Sequence, residues 1–330
     1  MYTEQTIPAR VIAVHRERYA VLSDRGEGYA RLKKTEYTLG KTEIPVVGDY
    51  VLLEYVPDGD SRITCTLPRK SWFSRRDPDR GRGEQILAAN FDYVFLLQSL
   101  NRDFNLKRLE RYLTLAWQSG AQPVVLLTKA DLAEDPTPQL RAVQQVAAGV
   151  AVHALSAATG AGLEALEVYL QPGKTVVFLG SSGVGKSSLV NALAGREIMT
   201  VGGIRETDSR GRHTTTHRQL LTLDSGAMVI DTPGMRELGI WEAADGLEAA
   251  FADVEALAGR CRFRDCRHGE EPGCAVRAAL ERGELDPGRW ARYRQLREEA
   301  QRNQSRDSYR QRREKIFKEI ARSRRKKEDK

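Results

Sequence analysis

The 330-residue sequence has no apolar run near the ~18 residues needed for a membrane-crossing helix, so no such helix and no membrane partner are expected. It has four cysteines, too few for a disulfide scaffold, which points to reducing, cytoplasmic surroundings. The opening Met1-Tyr-Thr-Glu-Gln lacks a basic stretch leading into an apolar one, so no secretory signal is expected. No internal repeat is found, so a repeat array is not expected either. What is present is 41% hydrophobic and 29% charged, which supports at least one sizeable core and excludes global disorder. At roughly 100–200 residues per domain, the length fits two or three domains.

The formal net charge of +7 is unevenly spread. From Arg289 to Lys330 there are 17 basic and 7 acidic residues; removing that surplus of ten leaves −3 on the rest. A basic appendage on a mildly acidic body fits a polyanionic partner or a solvated charged helix, and charge alone does not choose.

Residues 1–70 read as β. Ala9–Arg16, Tyr19–Ser23 and Val51–Val56 are short and rich in β-branched and aromatic residues, and turns at Asp24–Gly28 and Pro57–Asp60 separate strand candidates. A small closed barrel, OB-like or SH3-like, leaves few sheet edges. Residues 71–85 read as a basic linker, in which Trp72 and Phe73 among arginines suit RNA stacking or a plain connector. From 86 to 242, apolar strands (Tyr93–Leu97, Pro123–Leu127, Val150–Leu155, Thr175–Leu179, Leu220–Leu223, Ala227–Ile230) alternate with helical patterns. This implies a multidomain α/β protein whose central sheet is mostly parallel with helices on both faces. Residues 243–330 read as helical and polar, with a cysteine cluster and a long basic helix.

Gly180-Ser181-Ser182-Gly183-Val184-Gly185-Lys186-Ser187 is a full G-x-x-x-x-G-K-[ST] match between a strand and a helix that includes Ser188. The glycines let the backbone approach phosphate, and successive N–H groups at the helix start cradle anionic oxygens. Lys186 is the candidate charge between β- and γ-phosphates, and Ser187 the candidate Mg²⁺ ligand. Asp231-Thr-Pro-Gly234 ends a strand, which suits Asp231 for Mg²⁺ through water and the Gly234 N–H for the γ-phosphate. Thr128-Lys129-Ala-Asp131 ends another. A carboxylate at Asp131 accepts from guanine N1–H and N2–H₂, whereas adenine offers an acceptor there and leaves it unpaired. The Lys129 stem would pack on the base, and Ser156-Ala157 would bring a backbone N–H near guanine O6. These loops belong on one carboxyl edge, where open α/β sheets bind ligands. The order is unusual: the base-reading loops precede the phosphate loop, which is a circular permutation joined at Leu170–Lys174. The second switch then runs into the C-terminal domain, which suggests that nucleotide state is coupled to that domain.

Together with Leu87–Asp92, Asn105–Leu113, Gly211-Arg-His-Thr-Thr-Thr216 and Asp231–Arg236, these motifs make the chain resemble the ribosome small-subunit-dependent GTPase family (RsgA, also called YjeQ) over nearly its whole length. The resemblance implies an N-terminal OB-fold, a circularly permuted P-loop GTPase and a C-terminal zinc domain. It also implies slow intrinsic GTP hydrolysis that the small (30S) ribosomal subunit stimulates during late maturation. The partners would be that subunit and its rRNA, the ligands GTP/GDP, Mg²⁺ and one structural Zn²⁺, and the protein a monomer. A GDP-holding RNA scaffold with little turnover and an ATP-dependent small-molecule kinase are the rival classes.

Two positions depart from general GTPases. Thr128 stands where Asn is common, which would loosen the base loop. Met235 stands where many place a water-orienting glutamine, and a thioether cannot orient water. His213 is the candidate catalytic residue, with His217 or a group supplied by the ribosome as alternatives. Thr215, or a neighbouring threonine of the triplet, would reach Mg²⁺. Finally, Cys261, Cys266, His268 and Cys274 put three of the four cysteines and one of five histidines within fourteen residues. Such a closed Cys₃His set suits a structural zinc. Cys65 lies apart and reads as a packed barrel residue.

Overall fold

The computed structural model describes residues 6–16, 18–32, 44–76, 84–101, 103–199, 218–231 and 244–302. They fall into two units, one built from residues up to 75 and from 84 to 231, the other containing 244–302.

The first unit begins with five strands: β1 (Thr6–Val14), β2 (Tyr19–Ser23), β3 (Gly26–Leu32), β4 (Tyr50–Glu54) and β5 (Ser61–Thr66). β1 pairs antiparallel with both β2 and β4, β2 with β3 and β4 with β5, while β3 and β5 run parallel. The circuit closes, and its one parallel pair is the OB-type arrangement, which decides the barrel type that the pattern left open. Alternate residues such as Val11, Val21, Val51, Leu53 and Ile63 fill its interior. Asp24–Gly28 is only partly turn: β3 starts at Gly26, whose φ of 92° closes a two-residue connection. Cys65 is exposed rather than packed: a register shift against β4 pairs Leu53 with Ile63 and Leu52 with Cys65, leaving Thr64 as an extra residue, so the alternation breaks and Cys65 does not share the buried face of Ile63.

Of the stretch read as a basic linker, β6 (Trp72–Arg76) pairs with β7 (Glu84–Ala89) in a two-stranded sheet. Phe73 is buried and stacked on Phe91 at 4.8 Å, so it belongs to the core and is not available to RNA. Trp72 remains exposed.

The second sheet of this unit comprises β8 (Tyr93–Ser99), β9 (Gln122–Thr128), β10 (Ala151–Ala154), β11 (Thr175–Gly180), β12 (Gln219–Thr222) and β13 (Met228–Asp231). Their spatial order is β10-β9-β8-β11-β13-β12, all neighbours parallel except β12 with β13. Strands buried on both faces explain the unbroken apolar runs. Phe95, Leu97, Val124, Leu126, Val176 and Phe178 form one face with Leu189 and Val190 of α3 (Lys186–Ala194). Alternate residues face the other side, where α1 (Leu106–Gln118) runs against β8 and β9, followed by α2 (Thr137–Val146) beside β10. Asn105 caps α1 by accepting the Arg108 N–H at 3.1 Å, a contribution of about 1 kcal/mol. The expected join is a turn at residues 171–174, where the Gly173 N–H donates to the Gly226 carbonyl at 3.0 Å. Leu163–Leu166 forms a single 3₁₀ turn.

Barrel and sheet are continuous: Ala13 of β1 pairs with Gln219 of β12. Buried Arg10 crosses this seam. Its guanidinium donates to the Asn90 carbonyl at 2.7 Å and lies 3.2 Å from the Met228 sulfur. Gly48 lies beside it, where a Cβ would come within 2.0 Å of the Ala89 carbonyl oxygen, so only glycine fits. Neighbouring Asp49, fully buried, accepts both Nε and Nη2 of Arg69.

The second unit has α4 (Ala244–Ala250), α5 (Ala252–Ala258), α6 (Ala275–Glu281) and a seventh helix, α7, over 287–302. Its core is small: Leu247, Phe251, Val254, Val276, Leu285 and Tyr293 are the main buried apolar residues. Arg289 was counted with the basic appendage, yet it is buried. It forms a two-point bond to Asp253 (2.7 and 2.6 Å) and lies over the Phe251 ring. Residues 303–330 of that appendage lie outside the described residues.

Candidate functional site

Three loops that are remote in sequence meet at the carboxyl edge of the parallel sheet. The phosphate loop leaves β11 and enters α3. Gly183 (φ 74°) and Gly185 (φ 101°) take left-handed backbone, as expected of this turn. Gly180 does not. It is needed because a Cβ there would lie 2.9 Å from Val184 Cγ1 and 3.1 Å from Leu97 Cβ.

The Thr128–Asp131 loop docks directly on this turn. The Thr128 hydroxyl donates to the Val184 carbonyl at 2.6 Å, and the Lys129 ammonium to the Gly183 carbonyl at 2.6 Å. Thr128 therefore ties the loop rather than loosening it, because its shorter side chain still reaches the buried carbonyl. Lys129 has φ 59°, a left-handed conformation unusual for a residue with a side chain. Asp131 follows in a 3₁₀ turn and is exposed.

Beyond β10, the Leu155 carbonyl accepts the Ala130 N–H at 3.1 Å, which fastens the Ser156–Ala157 loop to the same edge. The Ser156 hydroxyl is buried and accepts the N–H groups of Ala158 and Thr159, both at 3.3 Å. On the other flank, Asp231 at the end of β13 holds the Lys186 ammonium at 2.6 Å. Ser187 sits in the first turn of α3. Ser182 is exposed, and Ser188 half-buried. His213, Thr215, Gly234, His217 and Met235 lie outside the described residues.

Sequence reasoning missed one element. The loop between β8 and α1 brings Asp103 to the phosphate loop, where it accepts the Ser181 hydroxyl at 2.5 Å. The signal was a polar Asn101-Arg-Asp103 segment directly after an apolar strand on the ligand-binding edge.

The sequence model of the RsgA GTPase family matches residues 66–241. The chain belongs to the RsgA GTPase family. It is 51% identical over 290 residues to the small ribosomal subunit biogenesis GTPase RsgA 2 of Listeria monocytogenes serotype 4b (strain F2365), covering 86% of this chain and 82% of that one. The corresponding protein of Opitutus terrae is 46% identical over 311 residues, 90% of this chain and 84% of that one. Among solved structures, YjeQ from Thermotoga maritima superposes with a TM-score of 0.65 at 27% identity, covering 89% of this chain and 98% of that one. YloQ, described as a circularly permuted GTPase, gives 0.61 at 26% identity, with 90% and 96% covered. Membership of this family makes the chain a guanine-nucleotide-binding GTPase, and the sheet order carries the permutation read from its motifs.

The family's expected zinc residues also converge. One ligand atom from each of Cys261, Cys266, His268 and Cys274 lies within 4.8 Å of the others. His268 Nδ1 is 3.5 Å from Cys261 Sγ and 3.6 Å from Cys274 Sγ. Around a tetrahedral zinc, with bonds of about 2.3 Å to sulfur and 2.0 Å to nitrogen, ligand edges are of this order, so the donor set fits the ion. Burial pushes the Cys261 thiol up, but the N–H groups of Ala275 and Val276 and the two other thiols outweigh it and leave it low. Desolvation, with crowding by the neighbouring sulfurs, raises Cys266 to about 11. Burial, helped by Arg297, lowers His268, which keeps the imidazole neutral as a ligand requires. His268 has φ 60°, and Trp290 packs edge-on against its ring at 5.4 Å. The Cys274 sulfur caps α6 by accepting the Arg277 N–H.

Proposed function

We propose that the chain hydrolyses GTP during late maturation of the small ribosomal subunit, with turnover stimulated by the subunit and hydrolysis acting as a release switch. The carrying observation is the docking of the Thr128–Asp131 loop on the phosphate loop. Those two loops read opposite ends of one nucleotide, so the chain selects base and phosphates together.

In this reading the N–H groups of 180–188 cradle the phosphates and Lys186 leaves Asp231 to neutralise them. Asp131 accepts from guanine N1–H and N2–H₂, the Lys129 stem covers the base, and the Ala157 N–H meets O6. Ser187 and Asp231 offer hard oxygen donors that suit Mg²⁺. When bound, that ion would supply positive charge to offset the charge developing on the phosphates. Gly234 and Thr215 complete the γ-phosphate side, and His213 orients the attacking water. Cys261, Cys266, His268 and Cys274 hold zinc in a structural role.

For rRNA, the barrel offers Tyr29, exposed with the Arg18 guanidinium 4.0 Å over its ring, and Arg25 over Tyr55. Exposed Trp72 and the 289–330 basic segment add stacking and phosphate contacts. The functional partition is a barrel to residue 70, a connection over 71–85, the GTPase over 86–242 and the zinc domain from 243. The reading has the protein act as a monomer in the cytoplasm. No helix of the described residues is long and apolar enough to cross a membrane.

Hydrolysis of GTP and ATP, each with and without purified small subunits, tests this. GTP-specific turnover that rises with subunits supports it. Unstimulated turnover would favour a nucleotide-holding scaffold, and equal use of ATP a small-molecule enzyme.

A further inference from the structure

Among the described residues, the phosphate loop is tied to its surroundings by side chains at four points. Val184, Gly183 and Lys186 are held by Thr128, Lys129 and Asp231, all within the motifs already described. The fourth tie has a different origin. Ser181, the loop's second residue, donates its hydroxyl to Asp103, which lies in none of those motifs.

Asp103 is itself fixed in advance. Its carboxylate pairs with Arg108 at 2.8 Å, and Arg108 also donates to the Asp103 carbonyl. The Asn101 side-chain oxygen accepts the Asp103 N–H at 2.9 Å and the Ser99 hydroxyl at 2.8 Å, forming an Asx turn. Buried Gln98 accepts the Asn105 N–H at 3.2 Å and so sets where the turn ends. The Ser181 hydroxyl, followed by Arg108, holds the Asp103 carboxyl below the usual carboxylate range, so it remains an acceptor at neutral pH.

We propose that Asp103 is a positioning residue for nucleotide binding, acting through the Ser181 hydroxyl to fix the first peptides of the phosphate loop. The proposal rests on the assignment of 180–188 as the phosphate cradle. Anion binding there requires successive N–H groups to point inward together. Gly180, Gly183 and Gly185 give this segment little intrinsic stiffness, so an outward tether at Ser181 lowers the ordering cost that binding would otherwise meet. Arg108 has the matching task of neutralising a carboxylate next to an anion site.

The test is equilibrium binding of a fluorescent GDP to the full-length protein and its variants, with the thermal midpoint of the nucleotide-free protein measured alongside. Asp103→Ala and Ser181→Ala should each weaken binding about five- to tenfold, since both remove the charge-assisted Ser181–Asp103 hydrogen bond, Asp103→Ala giving up the Arg108 pair as well. The double variant should be no weaker than either single one, because both remove the same bond. Asp103→Asn keeps an acceptor and should stay within about twofold of wild type. Midpoints should change little, since both side chains are only partly buried. Unchanged affinity in Asp103→Ala, additive losses in the double variant, or Asp103→Asn falling as far as Asp103→Ala would overturn the proposal. Failure of the wild-type protein to bind the GDP would instead sink the cradle assignment, and the proposal with it.

Discussion

The proposed nucleotide site and the cysteine cluster would solve the same problem, fixing several groups around one small ligand, in opposite ways. The nucleotide site draws on residues from 103 to 231, and its loops are positioned by a sheet whose strands are buried on both faces. The cluster takes all four donors from 261–274, in a unit with few buried apolar side chains. On the proposed reading, where a large core exists the ligand would meet a geometry that folding has already set, and where it does not the ligand would supply the folding energy. Perturbing the ligand should therefore unfold one region and leave the other standing.

The largest expected effect is on the cluster. Structural zinc contributes on the order of 10 kcal/mol or more in small zinc domains, so chelation or Cys261→Ser should melt residues 244–302. Circular dichroism should show lost helix, and limited proteolysis should cut there first. GDP affinity should stay within about twofold. Protection of 244–302 without metal would erase the contrast.

Next comes Lys186→Ala, which removes the charge held at Asp231 and should reduce GTP affinity by about a hundredfold or more while the thermal midpoint barely moves. A large fall in that midpoint would mean that the site is a folding element like the cluster. Thr128→Val is a smaller probe. It deletes the 2.6 Å bond to the Val184 carbonyl, which is worth about 1 kcal/mol, and should weaken nucleotide binding about fivefold.

The smallest effect lies in the second unit. Burial opposes ionisation of Asp253, but the two-point bond from Arg289 overcomes it and leaves the pKa low. A depressed folded pKa gives stability that is present above the unfolded value near 4 and lost as pH falls through the folded one. Because Asp253 is about half exposed, Asp253→Asn should cost only about 1 kcal/mol at neutral pH, and the cost should shrink in acid. Thermal melts from pH 7 to 3 read this directly, and a pH-independent cost would remove the ion pair from the account.

Much of this was legible in the residues, for reasons the comparison makes plain. The cluster is local, so its crowding within fourteen residues, together with the family resemblance, exposed it. The phosphate loop and its partner loops carry chemistry at strand ends, and the buried strands advertise themselves as apolar runs. Contacts across long separations were hidden. Asp103 reaches Ser181 only through the fold, and Arg10 reaches Met228 across 218 positions. Phe73 read as exposed among arginines because its stacking partner, Phe91, lies on the far side of the basic stretch. The barrel type was hidden for the same reason, since the parallel pairing of β3 with β5 leaves no trace in either strand.

The most direct measurement is a crystal structure of the full chain with a non-hydrolysable GTP analogue and Mg²⁺. The account predicts the triphosphate within hydrogen-bonding reach of Lys186 and the N–H groups of 183–188, with the guanine N1 and N2 on the Asp131 carboxylate. A nucleotide whose base lies away from Asp131, or whose phosphates bypass the 180–187 turn, would contradict it.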